Sequence, residues 1–287
     1  MISRVAVIGA GTMGAGIAQA AAVAGVQVRL ADAQAGAVPG ALTRIRATLD
    51  GGVSRGKLSG ADAAAAFARI VAVPDVDAAV LDVELVIEAI VEDLGEKQRL
   101  FARADAIART DTILATNTSS LSVASIATAT ARPARVIGMH FFNPVHAMQL
   151  VELVTHPQTD PAIIPPLREL AAAMKKTAIV VRDSPGFASS RLGVALGLEA
   201  MRMVEEGVAS AADIDTAMTL GYGHPMGPLR VSDLVGLDVR LKIAEYLHRE
   251  LGDPQFLPPE ILRRKVRHGE LGKKTGKGFY EWGDDER

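Results

Sequence analysis

An apolar segment of the chain carries three residues that can handle protons. Residues 139–154 read MHFFNPVHAMQLVELV, and among them are His140, His146 and Glu152. A glutamate within an apolar strand needs a buried partner, because an unpaired carboxylate is costly to remove from water. His140, at the end of a neighbouring strand, is such a partner, and a histidine held by a carboxylate suits removal of a hydroxyl proton. These residues are equally compatible with a core histidine that has no catalytic role. For His146, which lies in a predicted loop, the non-catalytic interpretation is favoured.

A second candidate site lies near the N-terminus, where a strand runs into a glycine-rich turn. The turn has the pattern G-x-G-x-x-G in Gly9-Ala10-Gly11-Thr12-Met13-Gly14. A helix follows it, and Asp32 ends the next strand, as in dinucleotide-binding folds. The turn would place backbone N–H groups and the positive helix end at a diphosphate. Asp32 would bind ribose hydroxyls and repel a 2′-phosphate, so we expect NAD rather than NADP as cofactor.

Alternating strands and helices must position these residues. Short apolar runs predict strands over residues 2–8, 26–32, 85–90, 112–117, 135–141, 148–154 and 179–181. Helical stretches separate them, with residues 41–70 helical apart from a polar interruption, and helices at 96–108 and 167–178. This alternation is typical of α/β proteins and predicts a Rossmann-type, mainly parallel, doubly wound sheet.

The pattern changes at the segment RDSPGF, residues 182–187, beyond which no strand is predicted. We therefore expect an NAD-binding domain over residues 1–183 and a smaller all-helical domain over 184–287. Ser210 and Asp213 form a capping-box signature at one helix start. Residues 233–251, DLVGLDVRLKIAEYLHREL, are predicted to form a single helix.

Composition excludes several classes of protein. The chain has 287 residues, a formal net charge of −2 and no basic block, so we expect no nucleic-acid binding. It has no cysteine, which excludes disulfides and thiolate chemistry. No apolar run is long enough for a membrane span, and the N-terminus lacks signal-peptide features. We expect a cytoplasmic globular protein with no metal site.

Several longer motifs carry a resemblance to a known family. They are VIGAGTMGAGIAQ, NTSSLSVASIA, RVIGMHFFNPVHAMQLVELV, DSPGF, HPMGP, DLVGLD and GKKTGKGFY, in order through essentially the whole chain. In these motifs the chain resembles the L-3-hydroxyacyl-CoA dehydrogenase family, which includes the 3-hydroxybutyryl-CoA dehydrogenases. The resemblance implies reversible NAD-dependent oxidation of a short-chain (S)-3-hydroxyacyl-CoA, as in fatty-acid β-oxidation, by a homodimer whose helical domain closes over the substrate.

The resemblance also implies roles for individual residues. His140 matches the family's catalytic base, Glu152 its carboxylate partner, and Ser119 the residue that hydrogen-bonds the substrate's C3 oxygen. His146 would then be a bystander. Other positions match residues that contact NAD or lie at its nicotinamide end, and these are Glu92, Lys97, Asn117, Ser119, Asn143 and Lys274.

Two departures weaken the expected substrate contacts. The family commonly has asparagine where this chain has Ser190, and a hydroxyl offers fewer donors than an amide. Where family members often place several lysines for CoA, this chain has Arg55 and Lys57, which either bind the CoA phosphates or form an ordinary solvated turn. Two alternatives therefore stay open, an NAD-dependent dehydrogenase of a free hydroxy acid, such as a sugar acid or carnitine, and a non-catalytic NAD-binding protein.

Overall fold

A computed structural model describes residues 2–283 of the chain. The contacts divide the chain into two compact units, Met1–Asp183 and Ser184–Arg287, and each is described by itself. Among the described residues, no helix combines the length and the apolar character that crossing a membrane requires.

The first unit is built on one eight-stranded sheet. Its strands are β1 (Arg4–Ile8), β2 (Gln27–Ala31), β3 (Ile70–Ala72), β4 (Leu85–Glu88), β5 (Ile113–Thr116), β6 (Val136–Phe141), β7 (Leu150–Thr155) and β8 (Thr177–Arg182). Their order is β3-β2-β1-β4-β5-β6-β7-β8, and every neighbouring pair is parallel except β6 and β7. The central strands are buried and rich in Val, Ile and Leu, as expected of strands covered on both faces.

Helices make the crossovers between these strands. They are α1 (Thr12–Val23), α2 (Ala37–Ser54), α3 (Gly60–Ala68), α4 (Val76–Val80), α5 (Leu94–Ile107), α6 (Val123–Ala127) and α7 (Ile164–Ala173). From β1 the chain adds β2 and β3 on one side, then adds β4 to β8 on the other. The order therefore reverses between β1 and β4, and ligands of open α/β sheets bind at such a switch point. The predicted Rossmann-type fold is confirmed.

The second unit is helical and has a core of its own. Its helices are α8 (Ser189–Glu205), α9 (Ala211–Thr216), α10 (Pro228–Val235), α11 (Leu237–Leu251) and α12 (Glu260–Arg267). Ser210 Oγ caps α9 by accepting a hydrogen bond from the Asp213 backbone N–H at 3.1 Å, as its sequence signature predicted. The single helix predicted over residues 233–251 is wrong. Gly236 separates α10 from α11 with a φ of 101°, a backbone conformation that favours glycine.

Two other predicted boundaries are wrong for local reasons. The helix predicted over residues 41–70 ends before Ile70, which begins β3, a three-residue strand too short to show a period. The helix predicted over residues 167–178 ends at Ala173, since Lys175 adopts a left-handed φ of 58° and turns the chain into β8.

Candidate active site

The glycine-rich turn follows β1 at the switch point of the sheet, and close packing fixes its shape. A Cβ at Gly14 would lie 1.8 Å from the Gly9 carbonyl oxygen, and one at Gly9 would lie 2.5 Å from that of Ala89. At Gly11, by contrast, a Cβ would meet no atom of residues 2–283 within 4 Å, and none of their side chains caps the α1 N-terminus there. The turn therefore presents an open backbone surface with uncapped N–H groups beside it, which fits a diphosphate.

Asp32 lies beside this turn, directly after β2. Its Oδ2 accepts a hydrogen bond from the Ala10 backbone N–H and its Oδ1 one from that of Gln34, both at 2.7 Å. A carboxylate has lone pairs for about four such bonds, so both oxygens can also accept from ribose hydroxyls. An open cleft of about 340 Å³ extends from Asp32 past Gly36 and Pro39. The residues at this end fit the adenosine half of NAD. Thr12 is exposed, and Met13 packs against the core.

His140 and Glu152 lie opposite each other on the antiparallel strands β6 and β7. His140 Nδ1 is 2.8 Å from Glu152 Oε2, and the two residues are 7% and 0% exposed. The ring of Phe142 packs against the imidazole at a centroid distance of 4.5 Å. A buried ionised carboxylate favours the tautomer with a proton on Nδ1, which leaves Nε2 with the lone pair. This pair has the arrangement of a general base and its orienting acid.

Glu92 organises the loop after β5 that carries Ser119. Its Oε1 accepts hydrogen bonds from Thr118 Oγ1 at 2.6 Å, the Ser119 backbone N–H at 3.0 Å and Ser120 Oγ at 3.0 Å. Burial raises the pKa of Glu92, but the Thr118 hydroxyl, the Lys97 charge and these other donors outweigh it and leave the pKa below its ordinary value. Glu92 is therefore held as a carboxylate that orients the exposed Ser119.

Lys97 lies beneath this loop and is only 1% exposed. Its Nζ is 2.5 Å from Glu88 Oε1 and 3.3 Å from Glu92 Oε2. Glu88, the last residue of β4, also accepts from the Thr116 hydroxyl at 2.8 Å and the Ile90 N–H at 2.7 Å. Sequence reasoning missed Glu88, although a glutamate in the apolar run LVIEAI is the same signal that identified Glu152.

The loop between His140 and Glu152 depends on a residue that sequence reasoning also missed. Lys176, 8% exposed, donates to the backbone carbonyls of Val145 at 2.5 Å and Met148 at 2.6 Å. Burial lowers the pKa of Lys176. Nothing in the sequence distinguishes it from the exposed lysines of a helix end.

The structure separates the remaining predicted site residues into three kinds. Asn117 links β5 to β6, because its Oδ1 accepts from the Phe141 N–H at 2.8 Å. Asn143 and His146 are exposed in the loop after β6, and Arg55 and Lys57 are exposed in the turn after α2. In the helical unit, Ser190 is half-buried near the start of α8, and Lys274 is paired with Asp238 at 2.5 Å.

The fold and this geometry define a dinucleotide-binding dehydrogenase. The sequence matches the description "3-hydroxyacyl-CoA dehydrogenase, NAD binding domain" over residues 4–184 and "3-hydroxyacyl-CoA dehydrogenase, C-terminal domain" over residues 186–282. The chain belongs to the 3-hydroxyacyl-CoA dehydrogenase family, and its first unit is the family's NAD-binding domain.

Individual relatives agree with this assignment over more than nine-tenths of their length. The chain is 43% identical to a probable 3-hydroxybutyryl-CoA dehydrogenase of Bacillus subtilis, over 98% of both chains. It is 40% identical to the human mitochondrial hydroxyacyl-coenzyme A dehydrogenase, over 98% of this chain and 92% of that protein. The crystal structure of (S)-3-hydroxybutyryl-CoA dehydrogenase from Ralstonia eutropha is similar with a TM-score of 0.94 at 40% identity, covering 99% of this chain and all of that one.

Proposed function

We propose that the protein catalyses the reversible NAD-dependent oxidation of a short-chain (S)-3-hydroxyacyl-CoA, such as 3-hydroxybutyryl-CoA, to the 3-oxoacyl-CoA. The observation that carries this proposal is the buried His140–Glu152 pair in the same sheet as the glycine turn. The names of the relatives support the choice of substrate. The relative from Clostridioides difficile is named a 3-hydroxybutyryl-CoA dehydrogenase, and the one from Bacillus subtilis a probable 3-hydroxybutyryl-CoA dehydrogenase.

In this proposal His140 is the general base for oxidation and the general acid for reduction. Its Nε2 takes the proton of the C3 hydroxyl, while NAD, when bound, supplies the nicotinamide that accepts the hydride. Glu152 accepts from Nδ1–H throughout, so it keeps the ring oriented and stabilises the imidazolium. General base catalysis of this kind contributes roughly 10²–10⁴-fold in rate.

Ser119 donates a hydrogen bond to the C3 oxygen as the carbonyl forms. Glu92 supports this role because it holds the Ser119 backbone N–H. The ammonium group of Lys97 lies between the carboxylates of Glu88 and Glu92. Lys97 therefore contributes to the cofactor end of the site by holding Glu92 in place. We assign the nicotinamide end to Asn117 and Asn143, a further cofactor contact to Lys274, and the CoA phosphates to Arg55 and Lys57.

The first test is to mix the purified protein with NADH and acetoacetyl-CoA and to follow NADH absorbance. Rapid oxidation with this pair, and little with NADPH or with free acetoacetate, is the expected result. Turnover of free acetoacetate but not of the thioester would replace the proposal with a free hydroxy-acid dehydrogenase. NADH binding without turnover of either compound would indicate a non-catalytic protein.

We propose further that the protein is a homodimer. Large apolar side chains are exposed on the helical unit, among them Leu192 at 71%, Leu220 at 83% and Tyr222 at 79%. Exposed apolar residues mark an interface where they form one continuous patch, which is what the proposal requires of these side chains. Light scattering after gel filtration should give about twice the chain mass of 30.1 kDa, and a monomeric mass would contradict the proposal.

The absence of cysteine suits a reducing cytoplasm, where we place the protein.

A further inference from the structure

An arginine of α2 reaches the glycine-rich turn of the first unit. Arg44 Nη2 donates a hydrogen bond to the backbone carbonyl oxygen of Ala10, the second residue of the turn, at 2.7 Å. The backbone N–H of the same residue donates to Asp32 Oδ2, also at 2.7 Å. Ala10 is therefore held by a cation through its carbonyl group and by an anion through its N–H group.

The two charged groups lie close enough to act on the same part of a cofactor. Because Ala10 links them, its covalent geometry and the two hydrogen bonds keep Arg44 Nη2 within about 9 Å of Asp32 Oδ2. This distance is no greater than the screening length at ordinary salt concentration, roughly 10 Å. Asp32 fits the ribose hydroxyls of NAD, and the 2′-hydroxyl is the one that carries the additional phosphate in NADP.

The guanidinium of Arg44 lies at the edge of the cleft that extends from Asp32. A Cβ at Gly40, one turn earlier in α2, would lie 3.4 Å from Arg44 Nη1. Pro39, the neighbour of Gly40, lines the cleft together with Asp32. The side chain of Arg44 therefore points toward the N-terminal end of α2, which borders the cleft. Arg44 is exposed, and the bond to Ala10 uses one of its five N–H donors, so others can bind a ligand there.

We propose that Arg44 binds the 2′-phosphate of NADP and thereby limits the preference for NAD that Asp32 imposes. A guanidinium matches the geometry of a phosphate group, and a nearby arginine is the usual means by which a dinucleotide-binding fold accommodates this phosphate. The preference for NAD is then the difference between two opposing effects, since Asp32 repels the 2′-phosphate and Arg44 attracts it. This inference rests on the cofactor part of the proposed function and is independent of the acyl substrate.

The test measures the dissociation constants of NADH and NADPH by fluorescence titration, for the wild-type protein and for Arg44→Gln. Glutamine removes the charge but keeps an N–H donor for the Ala10 carbonyl. Arg46→Gln is the matched control, because Arg46 lies in the same helix and its guanidinium stacks on the ring of Phe67 at 3.8 Å. Both substitutions are repeated in an Asp32→Asn protein, in which the repulsion of the 2′-phosphate is removed.

The expected result is a loss of affinity that is specific for NADPH. Arg44→Gln should weaken NADPH binding by about 10-fold, as expected for a charge-assisted hydrogen bond at an exposed site, and leave NADH binding nearly unchanged. In the Asp32→Asn protein, Arg44→Gln should reverse most of the gain in NADPH affinity. Added salt should reduce these differences, because the interaction is between exposed charges, whereas a purely structural role would not depend on salt in this way. Arg46→Gln should change neither dissociation constant.

Two results would overturn the proposal. Equal losses of NADH and NADPH affinity in Arg44→Gln would mean that Arg44 only supports the shape of the turn. NADPH affinity that is the same in Asp32→Asn and in Asp32→Asn/Arg44→Gln would mean that the guanidinium does not meet the phosphate. Both results leave the proposed function intact if the wild-type protein binds NADH. A wild-type protein that binds neither dinucleotide would refute the proposed cofactor, and with it the role of Arg44.

Discussion

Replacing Glu152 with glutamine removes one charge from the His140 pair and almost no volume. Glu152 is fully buried, and its Oε2 lies 2.8 Å from His140 Nδ1, so water cannot replace the lost anion. A hydrogen bond to a charged group contributes about 1.5–3 kcal/mol, which corresponds to a fall in rate of roughly 10- to 150-fold. An amide that turns its NH₂ toward Nδ1 would also impose the wrong tautomer and deepen the loss. We therefore expect Glu152→Gln to lower kcat by about 100-fold or more.

The assay is steady-state oxidation of NADH by acetoacetyl-CoA, with two accompanying measurements. The NADH dissociation constant, from fluorescence titration, should be unchanged because Asp32 and the glycine turn are untouched. The melting temperature should show that the variant is folded. Glu169→Gln, at an exposed glutamate of α7, is the matched control and should keep wild-type kcat. A Glu152→Gln enzyme with kcat within about threefold of wild type would refute a role for the carboxylate in stabilising the imidazolium.

Three further predictions follow from the other contacts of the first unit. Asp32→Asn should weaken NADH binding by about 10- to 100-fold and reduce the preference for NADH over NADPH, measured by fluorescence titration; an unchanged NADH affinity would contradict the ribose role. The pKa of Glu92 is lower in the folded protein than in the unfolded chain. The carboxylate therefore stabilises the folded protein fully above the pKa of the unfolded chain, and this stabilisation is lost as pH falls through the pKa of the folded protein. The difference in melting temperature between wild type and Glu92→Gln should therefore be constant near neutral pH and shrink below about pH 4.5, whereas a constant difference down to pH 3 would oppose this. Lys176→Met leaves two loop carbonyls without their donor and should lower the free energy of unfolding by about 2 kcal/mol in urea titrations. It should also reduce kcat and leave the NADH affinity unchanged. A variant with wild-type stability would rule out a structural role for these two hydrogen bonds.

Local signals were sufficient to predict the geometry of the glycine-rich turn and the position of Asp32 beside it. The glycines of the turn are needed for backbone approach and helix packing, and Asp32 ends the adjacent strand, so their types and order contain the geometry. The error at Gly236 has the opposite cause. A glycine within a helical pattern is often tolerated, and only the tertiary structure decides whether the helix continues through it or breaks.

The long-range contacts differ in how far the sequence could predict them. Glu88 could have been found, because a carboxylate in an apolar run always demands a partner. Lys176 could not, since a lysine at a helix end is normally solvated and its two acceptors lie about 30 residues earlier in the chain. Arg240 lies between these cases. The periodicity of α11 places it among buried residues, but only the structure shows that its Nε is buried without a hydrogen bond among residues 2–283.

The direction of β7 explains why the His140–Glu152 pair could be anticipated without knowing the sheet topology. In an antiparallel pair, directly opposed residues have their side chains on the same face of the sheet. A short connection can join two neighbouring strands only if they are antiparallel, because a parallel pair needs a crossover of a dozen or more residues. The segment between β6 and β7, residues 142–149, is too short for such a crossover, so the two strands must be antiparallel. A shift of one residue in their register would move Glu152 to the other face, away from His140. Lys176 bonds both Val145 and Met148 within this connection, so it supports the register on which the pair depends.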